Sequence, residues 1–127
     1  MMRTILIVLV LWLGQGKAPQ TTVWGGDHVE MEVTPTGAQL EFDCAHGTID
    51  EPVRADTKGA FRAKGTFSPE HSGPSRDGDA ARVFQATYAG KIQDDTMTLR
   101  IVVDGQDPQG TTYLLRRDRR ANLMKCR

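Results

Sequence analysis

What the chain lacks narrows it first. Its two cysteines form no Cys-x-x-Cys pair and its three histidines show no His-x-x-x-His spacing. The usual frames for a structural zinc site or a dithiol redox centre are therefore missing. Neither charge sign dominates, with 16 Lys+Arg against 16 Asp+Glu. Nucleic-acid affinity rests largely on excess positive charge, so no nucleic-acid partner is expected. Aromatics are only 6% of residues, so each large apolar side chain matters to a modest core. No segment repeats at a fixed period. Beyond residue 16 no apolar run approaches the roughly twenty residues a membrane-spanning helix needs.

One apolar run is present, and it opens the chain. In "MMRTILIVLVLWLGQGKAPQ" a single positive residue, Arg3, precedes Ile5 to Leu13, nine apolar residues, followed by the small residues Gly14 and Gly16. The run is too short for a membrane span and reads as a cleaved secretory signal. An uncleaved anchor or a buried strand is the alternative. No cysteine follows the run, so a lipidated start is not expected. The expected organisation is a signal over 1–16, a flexible linker over 17–23 and one domain over 24–127. Loss of residues 1–16 removes only Arg3, leaving 16 − 1 = 15 basic against 16 acidic residues.

Export fixes the reading of the cysteines. In an oxidising compartment an even count favours pairing, so Cys44 and Cys126 are expected as a disulfide that ties the tail to an early strand. The stretch "LEFDCAHGTIDEP" permits other readings. Asp43-Cys44-Ala45-His46 could hold a thiolate with its base, or join His28 in a metal site, but the missing ligand spacing and the oxidising surroundings argue against both. The expectation is no catalytic residue, no metal and no cofactor. His46-Gly47 reads as a turn, with Gly47 supplying positive φ.

The period of hydrophobicity is two. Val29, Met31 and Val33 alternate with polar residues; so do Leu40, Phe42 and Cys44 across the turn "TPTGA", where Gly37 is read as free to take positive φ. Phe61, Ala63, Gly65 and Phe67 share a face, as do Phe84, Ala86, Tyr88, Gly90 and Ile92. Met97, Leu99, Ile101 and Val103 follow after the turn Gln93-Asp94-Asp95, then Tyr113 and Leu115, then a short final strand, "NLMKC". A helical turn near Asp79 to Arg82 is allowed. Six to seven strands in sequence predict a mainly β fold: a small antiparallel up-and-down barrel or curled meander, lipocalin-like in style, which buries one face of each strand and removes bare edges. If the first and last strands meet, Glu30, Glu32, Glu41 and Asp43 should face Arg116, Arg117, Arg119 and Arg120 across the seam. The small inward residues Ala63, Gly65, Ala86 and Gly90 admit bends, a large neighbour, or a cavity.

Candidate contact residues follow from this layout. Trp24 enters the first strand and is suited to plug one barrel end under Arg116 or Arg117. His28 and His46 fall near hairpin ends, and His71 and Arg76 lie in the longest polar connection, Ser68 to Arg82. A second loop spans Thr48 to Lys58. Long loops on a rigid barrel are where binding is usually built. The run "RRDRR" suggests an anionic partner or a solvated barrel edge.

Trp24-Gly25-Gly26-Asp27-His28, then Asp43-Cys44-Ala45-His46-Gly47-Thr48-Ile49 and a closing Cys126, resembles a family of small, uncharacterised exported bacterial proteins. More loosely, the layout is similar to the periplasmic inhibitors of C-type lysozyme, with Phe42 in the place of an aromatic before the first cysteine. "HSGPS" departs from the Ser/Gly-rich inhibitory loop of that family. The leading expectation is a secreted or periplasmic, non-enzymatic, monomeric binding module for a small apolar ligand or a protein partner. An enzyme inhibitor, a structural envelope component and an enzyme using His28, Asp43 and His46 are the alternatives.

Overall fold

The structure, a computed structural model, describes residues 21–70 and 82–126. The apolar N-terminal run, His71, Arg76 and most of the possible helical turn near Asp79 lie outside those residues. Within them the chain is all β: β1 Thr22–Gly26, β2 Val29–Thr34, β3 Gly37–Phe42, β4 Ala45–Ile49, β5 Ala60–Pro69, β6 Phe84–Gln93, β7 Thr96–Val103 and β8 Thr111–Arg117. Each strand pairs antiparallel with the next, and β8 returns to β1, closing an up-and-down barrel. Among the described residues no helix is long and apolar enough to cross a membrane.

Alternating side chains build the core. Seventeen buried apolar residues, at least one from every strand, form a single cluster in which Val29, Met31, Tyr88, Met97, Leu99 and Leu115 are wholly shielded. Full burial of such a side chain contributes roughly 1.5–3 kcal/mol. Two of the small inward residues are held small by what already stands over them, a ring in one case and a neighbouring strand's backbone in the other. A Cβ on Gly90 would fall 2.3 Å from the ring tip of Phe61, and one on Gly65 would strike the backbone carbonyl of Thr48.

The structure has eight strands rather than six or seven, because two segments outside the expected strands are strands and one expected strand is not. Residues 22–23, read as linker, begin β1. The segment from Ala45 to Ile49 is a strand, because Asp43-Cys44 is a two-residue turn and Phe42 pairs with Ala45. That turn shifts the alternation by one position. Ala45, Gly47 and Ile49 therefore point inward, while Cys44, expected on the inner face, is exposed. Gly47 is a strand residue without positive φ; its missing side chain leaves room for the Tyr88 hydroxyl, which a Cβ there would meet at 2.2 Å. Gly37 likewise has no positive φ: the turn is Pro35-Thr36, and Gly37 starts β3 against the carbonyl of Ile49. "NLMKC" is not a strand; it makes one isolated parallel bridge, Asp27 to Asn122.

The barrel closes least extensively at its seam. Eight residue pairs join β5 to β6, whereas two, Trp24 with Arg117 and Gly25 with Arg116, join β1 to β8. The acidic hairpin and the basic run do not meet there as expected, because β1 stands between β2 and β8. Among the described residues Arg117 pairs with Asp95 and Lys125 with Glu41 instead.

Candidate functional site: the tail and the seam cleft

The weak seam is covered by the chain's own tail. At Asp118, with φ of +56°, the backbone leaves β8 and runs back along the outside of β1. The Asp118 N–H donates to the Val23 carbonyl at 2.7 Å, Asn122 N–H to Gly26 at 3.2 Å, His28 N–H to Asn122 at 3.0 Å and Cys126 N–H to Asp43 at 3.0 Å. Gly25 makes this seat possible. A Cβ there would lie 2.1 Å from the Arg119 carbonyl oxygen, so any side chain would lift the tail off the seam.

Charged side chains then clamp the tail's end. Asp43 accepts the Met124 N–H at 2.8 Å on one oxygen and lies 2.5 Å from His28 Nδ1 on the other. Lys125 Nζ donates to Glu41 at 2.7 Å and to Glu70 at 3.1 Å, and Glu70 also hydrogen-bonds His46 Nδ1 at 3.1 Å. The Met124 amide, with His28 and Lys125 adding to it, holds the Asp43 carboxyl below its ordinary value. For Glu70, partial burial pushes upward, but hydrogen bonds from Lys125 and His46 outweigh it and the net direction is down. For Lys125, burial pushes downward and is outweighed by the bonds to Glu41 and Glu70, so its ammonium holds its proton more tightly. The Cys44–Cys126 disulfide completes the clamp, with Cα atoms 5.1 Å apart.

This arrangement sorts the residues singled out in the sequence. Cys44 and Cys126 are joined as expected. His28 and Asp43 come together, but His46 is engaged with Glu70 in a separate pair. Among the described residues no three His, Cys, Asp or Glu side chains converge as metal ligands. Trp24 is 3% exposed and the Arg117 guanidinium lies over its ring at 4.9 Å. Arg117 also donates to the Asp94 carbonyl at 3.2 Å, so the late-strand arginine expected over Trp24 is present and is itself anchored.

Between the tail and the outer face of β8 lies an open cleft of about 620 Å³. It is lined by residues 25–28 at the end of β1, by residues 112–114 and Arg116 of β8, and by Arg119, Arg120 and Asn122 of the tail. Leu114 is 56% exposed, a large apolar side chain on the outside of the barrel. Of the cleft's lining, the sequence points to His28 as a contact residue and, through the run "RRDRR", to Arg116, Arg119 and Arg120 as either an anion-binding group or a solvated edge. The cleft's signals were the adjacent glycines at 25–26 and the arginines of "RRDRR", which look unrelated until β8 and the tail are folded back on β1.

Comparison with protein-family models, curated proteins and solved structures gives no significant match, which leaves the geometry of the chain's own residues as the guide to function.

Proposed function

We propose that this protein is an exported, non-enzymatic binding module whose contact surface is the seam cleft. The location of the cleft carries the reading: the barrel interior is lined by a shared cluster of core side chains, while the described concavity is outside, framed by the tail. A volume of about 620 Å³ falls within the roughly 300–1,000 Å³ usual for small-ligand sites. Two further features support a binding role over catalysis. Of the groups best suited to acid–base work, His28, Asp43 and Glu70 hold the tail and His46 is hydrogen-bonded to Glu70. The disulfide and the apolar N-terminal run fit an oxidising, extracytoplasmic setting, in keeping with the small exported proteins that the "WGGDH" and "DCAHGTI" motifs resemble.

The test compares what co-purifies with the secreted protein and with two variants. Thr112→Trp fills the cleft, whereas Arg62→Trp places the same side chain on β5, which does not line it. The ligand should be absent from the first and present with the second, by mass spectrometry of the native complex. A ligand retained by T112W and lost from R62W would move the binding surface elsewhere.

A further inference from the structure

The chain has no net charge, yet the cleft does not share that balance. Its lining holds Arg116, Arg119 and Arg120 against Asp27 as the only carboxylate, so 3 − 1 gives a local charge of +2 with His28 counted neutral. The three arginines reach the cleft by different routes. Arg116 is an outward residue of β8, while Arg119 and Arg120 are carried there by the tail as it crosses Gly25.

Their pairing also differs from that of other basic groups nearby. Lys125 meets two carboxylates, and Arg117 has Asp95 and the Trp24 ring. Arg116, Arg119 and Arg120 form no ion pair with any described residue, although each is exposed and acids are plentiful. Like charges gathered in one concavity repel one another. The arrangement is matched by an anion that enters from solution. Guanidinium groups suit one class of anion best: their planar forks donate in pairs to the oxygens of phosphate, sulfate or carboxylate. Leu114 adds an exposed apolar surface on the same wall.

Resting on the binding reading above, we infer that the seam cleft binds a small soluble oxyanion whose charged head sits among Arg116, Arg119 and Arg120 and whose apolar body lies on Leu114. Asp27 opposes such a ligand, so the site favours a compact head held at the arginine end over a long polyanion laid along the cleft.

Phenyl phosphate is the probe, with inorganic phosphate and phosphatidylglycerol vesicles as comparisons, in calorimetric titrations and vesicle flotation on the full secreted protein. Phenyl phosphate should bind more tightly than inorganic phosphate. Each of Arg116→Gln and Arg120→Gln should weaken it about tenfold, the loss expected for one charge-assisted hydrogen bond. Lys91→Gln, which removes an exposed charge on β6, should leave it unchanged. Leu114→Ser should reduce phenyl phosphate affinity to that of inorganic phosphate. Melting midpoints of the arginine variants should match the parent, because these side chains hold no partner among the described residues.

Equal weakening by K91Q and R116Q would mean a simple net-charge effect and overturns the inference, as does the absence of any phenyl phosphate binding tighter than about 1 mM. Arginine-dependent flotation with vesicles, without binding of phenyl phosphate, assigns the cleft to a lipid surface and likewise overturns it. If T112W loses its co-purifying ligand while no oxyanion binds the parent, the binding reading stands and only this inference fails.

Discussion

Replacing both cysteines by serine gives the sharpest test of how the fold is held. The bond joins residues 82 apart and encloses β4 to β8, so its removal frees most of the barrel in the denatured chain. The loop-closure relation, 2.1 + 1.5R ln n, gives about 15 cal/mol/K for that length, or about 4.5 kcal/mol at 25 °C. The full value applies only if the native tail stays seated without its sulfur link. The clamp gives it the means: Asp43 holds the Met124 and Cys126 amides, and Lys125 bridges Glu41 and Glu70. Urea unfolding followed by far-UV circular dichroism should show a loss near that figure, a large part of the roughly 5–15 kcal/mol typical of a domain. The slope should rise, because an uncrosslinked denatured chain exposes more surface. Hydrogen exchange at the His28 and residue-126 amides should remain slow. A loss below about 1 kcal/mol, or fast exchange at those amides in an otherwise folded barrel, would refute the reasoning, the first on the denatured side and the second on the native side.

Two more outcomes follow from the structure. Asp43 and Glu70 both have folded-state values below their ordinary 3.8 and 4.5, so their contribution is fully present above those values and lost as pH falls through the lower folded ones; acid titration of Asp43→Asn and Glu70→Gln should show a shallower loss of stability below pH 4.5 than the parent, and parallel curves would rule out the clamp as an acid-sensitive device. The hydroxyl of Tyr88 donates to the Thr66 carbonyl at 2.6 Å and occupies the space a Gly47 side chain would need, so Gly47→Ala should cost about 1–3 kcal/mol by overpacking, and adding Tyr88→Phe should recover part of it, a non-additivity that a double-mutant cycle by chemical denaturation reads directly.

The barrel was legible because its long strands announce themselves. From Phe61 to Leu115 the inward residues are regularly spaced and every strand carries large ones among them, and each apolar position named there lies buried or half-buried in the core. The missed strand, β4, carries small inward residues, Ala45 and Gly47, before Ile49, so it offers little hydrophobic contrast. The two-residue turn ahead of it also resets the parity that had placed Cys44 inside. The disulfide was still readable, because pairing depends on compartment and count while the direction of the side chain does not enter. The tail was misread for the opposite reason. "NLMKC" has the look of a strand, but its order comes from Asp43, Glu41 and Glu70, partners distant in sequence that no local pattern reveals. The cleft depends on that same fold-back and was hidden with it.

The tail makes closure of the barrel and formation of the cleft one event. With only two residue pairs between β1 and β8, the seam relies on Asp118 to Asn122 lying along β1, and those residues bring Arg119 and Arg120 to the cleft. A tail that lifts off would disperse the arginines and strip the seam of its cover together. An oxyanion bridging Arg116 on the barrel wall to Arg119 and Arg120 on the tail would therefore bind the closed form and not the open one. Mass action then makes it a stabiliser of the seam, by about 2.7 kcal/mol at a hundredfold excess over its dissociation constant. The disulfide acts on the same equilibrium from the far end of the tail. In the cysteine-free protein the ligand should raise the melting midpoint by as much as in the parent where the clamp alone keeps the tail seated, and by less in any variant whose tail is partly open, since the fraction of open tail lowers the apparent affinity in proportion.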